Sequence, residues 1–104
     1  MDITPHELLL HIKSGKKPIV VDVREKVEWD SEHIPGTIHI PLGQIPHRLH
    51  DLDPEQEIII YCRSGHRSAQ AMHFLESRGF KRVLNLKGGI RAWLRVEGML
   101  IEKE

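Results

Sequence analysis

The sequence predicts a single α/β domain with a mainly parallel sheet and helices on both faces. Short apolar runs at 18–23, 37–40, 57–62 and 82–86 alternate with stretches of helical spacing, the order that builds strand–helix–strand units. Two of the runs, PIVVDV and EIIIYC, lack the polar alternation of a sheet wetted on one side, so they suit strands buried on both faces. The 104 residues contain no internal repeat, low-complexity tract or linker, so residues 1–104 are read as one domain with one modest core.

Each element has its own local cause. Thr4, Pro5 and Glu7 combine an N-cap, a proline at the first helical position and a capping-box glutamate. They open a helix whose apolar residues are Leu8, Leu9 and Ile12, with Gly15 as its stop. The strand at 18–23 follows. Residues 25–32 are polar around Val27 and Trp29 and read as one short helix, and Ile34-Pro35-Gly36 reads as a turn. TIHI at 37–40 is a strand bounded by Pro41. Leu42, Ile45 and Leu49 then recur at helical spacing, against the objection of Pro46.

The run at 57–62 is the strongest strand. The following helix starts near Arg67 or Ser68, places Ala69, Met72 and Leu75 on one face and stops at Gly79. After the strand at 82–86, Gly88-Gly89 forms a close-approach turn opposite the loop after residue 62 and leads into a helix carrying Ile90, Trp93 and Leu94 on one side. Trp29 and Trp93 are read as core side chains. The C-terminal EGMLIEKE suits either an edge strand or a short tail.

Composition narrows the function classes. Lys plus Arg and Asp plus Glu number 15 each, so a neutral chain offers no footprint for nucleic acid or an anionic membrane, and any anion site is local. No apolar stretch reaches the ~20 residues of a membrane span, and MDITPHELLL lacks the pattern of a secretory signal. With one cysteine and no signal, the expected compartment is a reducing cytoplasm. Among the eight histidines, HELLLH at 6–11 has Leu10 where a zinc helix needs its second ligand, and His47 with His50 lacks a third. No metal or other cofactor is therefore expected.

That leaves the lone cysteine. In IIIYCRSGHRSAQAM, residues 58–72, Cys62 ends an apolar strand and meets Arg63, His66 and Arg67 within five positions. Ligands of open α/β sheets gather beyond the carboxyl ends of strands, which is where Cys62 falls. A short loop there turns successive N–H groups inward as an anion nest capped by a helix N-terminus. Gly65 tolerates the positive φ such a curl needs, and Ser64 and Ser68 supply hydroxyls. These surroundings pull a thiol from ~8.5 toward ~3.5–7.5. Cys62 is therefore expected to be a thiolate nucleophile in a partly exposed, electropositive loop, with Arg63, Ser64, Gly65, His66 and Arg67 binding the substrate.

Loop length selects the substrate. A C-x5-R loop wraps a phosphoryl group and grips it with arginine, but Arg67 makes C-x4-R here and Ser68 fills the longer loop's arginine position. The shorter cup suits a single sulfur atom carried on the cysteine.

On these residues the chain resembles the rhodanese family of single-domain sulfurtransferases. The likeness runs through ITPHELLLHI, VVDVRE, EHIPGTIHIP, IIIYCRSGHRS and VLNLKGGIRAW, in order. The resemblance implies a five-stranded, mainly parallel sheet. It also implies a Cys62 persulfide held by the main-chain amides of residues 63–67, loaded from a donor such as thiosulfate and discharged to cyanide or a thiol, including a thioredoxin-like protein. A persulfide relay for one protein partner is the alternative. A phosphatase or arsenate reductase is disfavoured by the loop length. Asp22 and Arg24 match the family's DVR segment, where an ion pair bracing the strand end is preferred to a pocket floor. His33 is read as a hydrogen-bonded loop residue.

Overall fold

A computed structural model describes residues 1–16 and 18–96. Five strands form one sheet: β1 (Asp2–Ile3), β2 (Ile19–Asp22), β3 (Ile38–His39), β4 (Ile58–Tyr61) and β5 (Val83–Leu86), in the order β1-β5-β4-β2-β3. All four pairings are parallel, with Ile19 opposite Ile58, Asp22 opposite Tyr61, and Ile58 opposite Val83. Among the described residues four α-helices accompany them, α1 (Pro5–Lys13), α2 (Lys26–Ser31) and α3 (His66–Ser77) between strands and α4 (Gly89–Arg95) after β5.

The period of two along the strands divides the core into two layers. Val21, Ile58 and Ile60 point to the face covered by Ala71, Met72 and Leu75 of α3, with Ile45 beside them. Val20, Ile59 and Tyr61 point to the other face, under Leu8 of α1 and Ile90 and Trp93 of α4. Both faces are therefore dry, which is why the central strands carry unbroken apolar runs. No helix among the described residues is long and apolar enough to cross a membrane.

Most local expectations hold. Thr4 Oγ1 accepts from the Glu7 amide at 3.1 Å and Glu7 Oε1 accepts from the Thr4 amide at 2.9 Å, closing the capping box. Four differ. The apolar spacing of Leu42, Ile45 and Leu49 forms two 3₁₀ turns, Leu42–His47 and Leu49–Asp51, because Pro46 has no amide hydrogen to sustain an α-helical ladder. The α3 helix starts at His66, slightly before the expected boundary. The two-residue β1 is too short to leave a sequence pattern, and its ladder is completed by the Asn85 amide donating to the Met1 carbonyl at 2.9 Å. Leu94, expected on the buried side of α4, is 42% exposed. Residues 97–104, read as an edge strand or a tail, lie outside the described residues.

The topology decides where a site forms. From β2 the chain moves outward to β3, whereas from β4 it moves toward β5 on the opposite side. The loops after β2 and β4 part company and leave a crevice between them. Arg24 begins one wall and Cys62 the other.

Candidate active site

Cys62 is the first residue after β4, and the chain curls from it into α3 through Gly65, whose φ of 113° is in the left-handed region. That curl aims the Gly65 amide at Cys62 Sγ, 3.1 Å away. The Ser68 hydroxyl lies 3.3 Å from the same sulfur. Burial alone would push the Cys62 thiol up. The Ser68 hydroxyl and the amides of Ser68, Gly65 and Ser64 outweigh it and hold the thiol below its ordinary value.

From the other side, the glycine turn before α4 clamps the loop. The Ile90 amide donates to the Cys62 carbonyl at 2.9 Å and the Arg91 amide to the Arg63 carbonyl at 3.1 Å. These bonds hold the carbonyls outward, toward α4, while the amides of Ser64, Gly65 and Ser68 serve the sulfur. Gly89 lies so close that a Cβ there would come within 2.5 Å of the Cys62 carbonyl oxygen. The close approach expected of Gly88-Gly89 is present.

Two features differ from expectation. Cys62 is 1% exposed, not partly exposed, and packs with Val21, Val23 and Ile60. The same tight curl that points amides at the sulfur excludes water from it. The cations are also arranged differently from a ring around the thiol. Arg63 and His66 are exposed, and Arg67 lays its guanidinium on Glu28 of α2, with Nη1 to Oε1 at 2.7 Å and Nη2 to Oε2 at 2.9 Å. The Arg67 bonds hold the Glu28 carboxyl down at about 2. Arg67 still feels the Cys62 charge, though Glu28 acts on it more strongly. Fixed dipoles supply the main hydrogen-bond stabilisation of the sulfur.

The opposite wall is braced by the DVR segment. Arg24 Nε sits 3.0 Å from both Asp22 carboxylate oxygens, and Nη2 is 2.8 Å from Oδ2 and 2.6 Å from the Glu32 carbonyl. Burial lowers the Arg24 pKa, but the Asp22 carboxylate more than offsets it. This buried pair ties the end of β2 to the end of α2, which favours the bracing role. His33 contacts the Trp29 carbonyl at 2.9 Å through Nδ1 and stacks on the Trp29 ring, so Trp29 is a half-buried stacking residue while Trp93 is core.

Between the two walls lies a cleft of about 410 Å³ lined by residues that include Arg24, Val27, Glu28, Arg63, Arg91 and Leu94. Cys62 is absent from the lining, in keeping with its burial. Two participants escaped the sequence reading. Glu28 gave no signal, being one acid on a polar helix. Asn85 did give one, as a polar residue inside the apolar run VLNL. It accepts from Ser68 Oγ at 2.6 Å and donates to the Gly65 carbonyl at 3.1 Å.

Comparison with known proteins places these features in a wider group. The sequence profile of the Rhodanese-like domain matches residues 4–95. A protein of Allochromatium vinosum named as a sulfurtransferase is 37% identical over 94 residues, covering 90% of this chain and 88% of its own length. YrkF of Bacillus subtilis, named as a candidate sulfur carrier protein, is 45% identical over 82 residues, and this chain spans only 44% of its length. A crystal structure of a rhodanese-like domain protein from Staphylococcus aureus superposes with a TM-score of 0.88 at 33% identity, covering 100% of this chain and 99% of that one.

Proposed function

The chain belongs to the rhodanese-like domain family of sulfurtransferases and sulfur carriers, and from that membership we propose that it moves a sulfane sulfur through a persulfide on Cys62. The reading rests on the Gly65 amide 3.1 Å from Cys62 Sγ, within a group of amides and one hydroxyl that lowers the thiol pKa. In the first half-reaction a lone pair of the thiolate attacks the outer sulfur of thiosulfate. The donor S–S bond breaks and its electron pair leaves with sulfite, so Cys62–S⁻ and S₂O₃²⁻ become Cys62–S–S⁻ and SO₃²⁻. In the second, cyanide or a thiolate attacks the terminal sulfur and regenerates the thiolate.

The chain's own groups divide the work. Loop amides stabilise the anion, which moves outward by one sulfur during loading. Exposed Arg63 and His66 attract a dianionic donor, and Arg67 orients it when released from Glu28. Because Cys62 is 1% exposed, loading needs the loop around the sulfur to open to the donor. These 104 residues hold no second cysteine to discharge the persulfide, so the acceptor lies outside this domain.

A second reading makes the same persulfide a relay to one protein partner, with slow turnover on small molecules. The sulfur-carrier name of YrkF and the cleft edged by Val27, 76% exposed, and Leu94 favour it. Intact mass after thiosulfate treatment tests both readings. The expected result is a gain of one sulfur atom, lost on adding cyanide and absent from Cys62→Ser. No adduct at any pH would overturn both. Turnover to cyanide compared with turnover to a thioredoxin-like dithiol separates them.

A further inference from the structure

Cys62, Ser68, Asn85 and Gly65 close a ring of hydrogen bonds. Cys62 Sγ meets Ser68 Oγ at 3.3 Å, and Ser68 Oγ donates to Asn85 Oδ1 at 2.6 Å. Asn85 Nδ2 donates to the Gly65 carbonyl at 3.1 Å, and the Gly65 amide returns to Sγ at 3.1 Å. Ser68 is fully buried and Asn85 is 8% exposed, so water is no ready substitute for a missing partner. The orientation of the Asn85 amide is fixed, because a flip would set its oxygen against the Gly65 carbonyl oxygen.

The ring contains a conflict. A serine hydroxyl has one hydrogen to donate. When Cys62 is a thiol, S–H donates to Ser68 Oγ and Ser68 O–H donates to Asn85, and every group is paired. When Cys62 is a thiolate it has nothing to donate, and the Ser68 hydrogen is demanded by the sulfur and by Asn85 Oδ1 at once. When the sulfur carries a second sulfur, the charge has moved to the outer atom, and the demand from Sγ disappears.

We propose that the Ser68 hydroxyl is a two-position switch and that Asn85 is the positioning residue that holds it away from Cys62 whenever Sγ bears no charge. In the attacking state Ser68 turns its hydrogen to Sγ. As the new S–S bond forms and the charge passes to the outer sulfur, the hydrogen returns to Asn85 Oδ1. Asn85 thus disfavours the bare thiolate relative to both the thiol and the persulfide, and makes sulfur loading more favourable. The inference rests on the persulfide reading for its role in loading, while the switch itself operates in the sulfur-free protein.

The test substitutions leave the other charged and titratable groups near the sulfur unaltered, so each comparison is made against the same background. These groups are Arg67 on Glu28, the exposed Arg63 and His66, and the Asp22–Arg24 pair across the crevice. In sulfur-free protein, Asn85→Leu frees Ser68 for the thiolate. The pH profile of iodoacetamide alkylation is expected to move down by about one pH unit, the size of one net hydrogen bond. The ratio of persulfide to thiolate protein at fixed thiosulfate and sulfite is expected to fall about tenfold. In a Ser68→Ala background the same substitution is expected to leave the alkylation profile in place. A simple loss of the Gly65 anchor would shift both backgrounds alike, and that result overturns the proposal.

Should Asn85→Leu fail to fold, the unaltered protein supplies the answer. The side-chain amide resonances of Asn85 are expected to titrate with Cys62, and to stop doing so in Ser68→Ala. Resonances that stay flat in the unaltered protein refute the switch. Absence of a sulfur adduct on the unaltered protein, with the alkylation shift intact, would remove the persulfide reading and leave the switch standing.

Discussion

Replacing Gly89 by alanine tests whether the loop around Cys62 is held in shape from outside. A Cβ at this position would lie 2.5 Å from the Arg63 carbonyl carbon and 2.5 Å from the Cys62 carbonyl oxygen, where ordinary contact begins at 3.4 Å. These are backbone atoms and no side-chain rotation relieves them, so α4 and the loop must separate by roughly the difference, about 0.9 Å. The two clamping bonds, Ile90 to the Cys62 carbonyl and Arg91 to the Arg63 carbonyl, run through this contact. Weakening both costs about 1 kcal/mol each, and an alanine at the Gly89 φ of 62° adds about 1 kcal/mol. The expected loss is about 3 kcal/mol, a substantial part of the ~5–15 kcal/mol that stabilises a domain of this kind. Urea unfolding reads that loss, and the alkylation profile of Cys62 reads the accompanying rise in thiol pKa as the amides lose their aim. Gly65→Ala is the control, since its added Cβ meets nothing closer than 3.9 Å and suffers only the backbone strain of φ 113°. If Gly89→Ala unfolds within about 0.5 kcal/mol of the unaltered protein, the size of an ordinary surface substitution, the clamp is not what shapes the loop.

Two further perturbations address the crevice walls. Glu28 has a depressed pKa, so its bond to Arg67 contributes stability above the unfolded carboxylate value of 4.5 and loses it as pH falls toward about 2. Both partners are partly exposed, which limits the contribution to about 1 kcal/mol. Acid unfolding of Glu28→Gln should lack that component, and its thiosulfate KM should fall because Arg67 is released toward an anionic donor; an unchanged KM would remove Arg67 from donor binding. Removing the buried carboxylate in Asp22→Ala strands a buried guanidinium and should cost about 3–5 kcal/mol in urea unfolding. Adding Arg24→Met should recover most of that loss, and failure to recover would mean that the Arg24 bond to the Glu32 carbonyl matters more than the ion pair.

Much of the scaffold was legible because its causes are local or periodic. The capping box at Thr4, the unbroken runs that become β2 and β4, and the glycines before α4 each state their physical requirement in a few consecutive residues. The location of Cys62 followed from the same logic, since the end of a buried strand before a helix is where a parallel sheet opens. What the sequence hid was contact between distant segments. Glu28 and Arg67 are 39 positions apart, and Ser68 and Asn85 are 17 apart. Nothing in either local pattern says that one occupies the other. The buried state of the thiol was hidden for a related reason. Polar neighbours in sequence suggested an open site, yet Arg63 and His66 are exposed while the amides of Ser64, Gly65 and Ser68 serve the sulfur.

That difference has a measurable consequence in salt. Cations at the surface act through solvent, where the Debye length falls from ~10 Å at 0.1 M salt to ~3 Å at 1 M, so a thiolate held by them would lose support as salt rises. Buried dipoles at hydrogen-bond distance are hardly screened. The Gly65 amide at 3.1 Å and the Ser68 hydroxyl at 3.3 Å belong to the second kind, and exposed Arg63 and His66 to the first. The two roles should therefore separate in one titration. Between about 0.1 and 1 M salt the alkylation profile of Cys62 should move by less than about 0.3 pH unit, while the KM for thiosulfate should rise several-fold. A thiol pKa that climbs in step with KM would assign the activation of Cys62 to the arginines and histidine after all, and would reduce the amide cup to a geometric support.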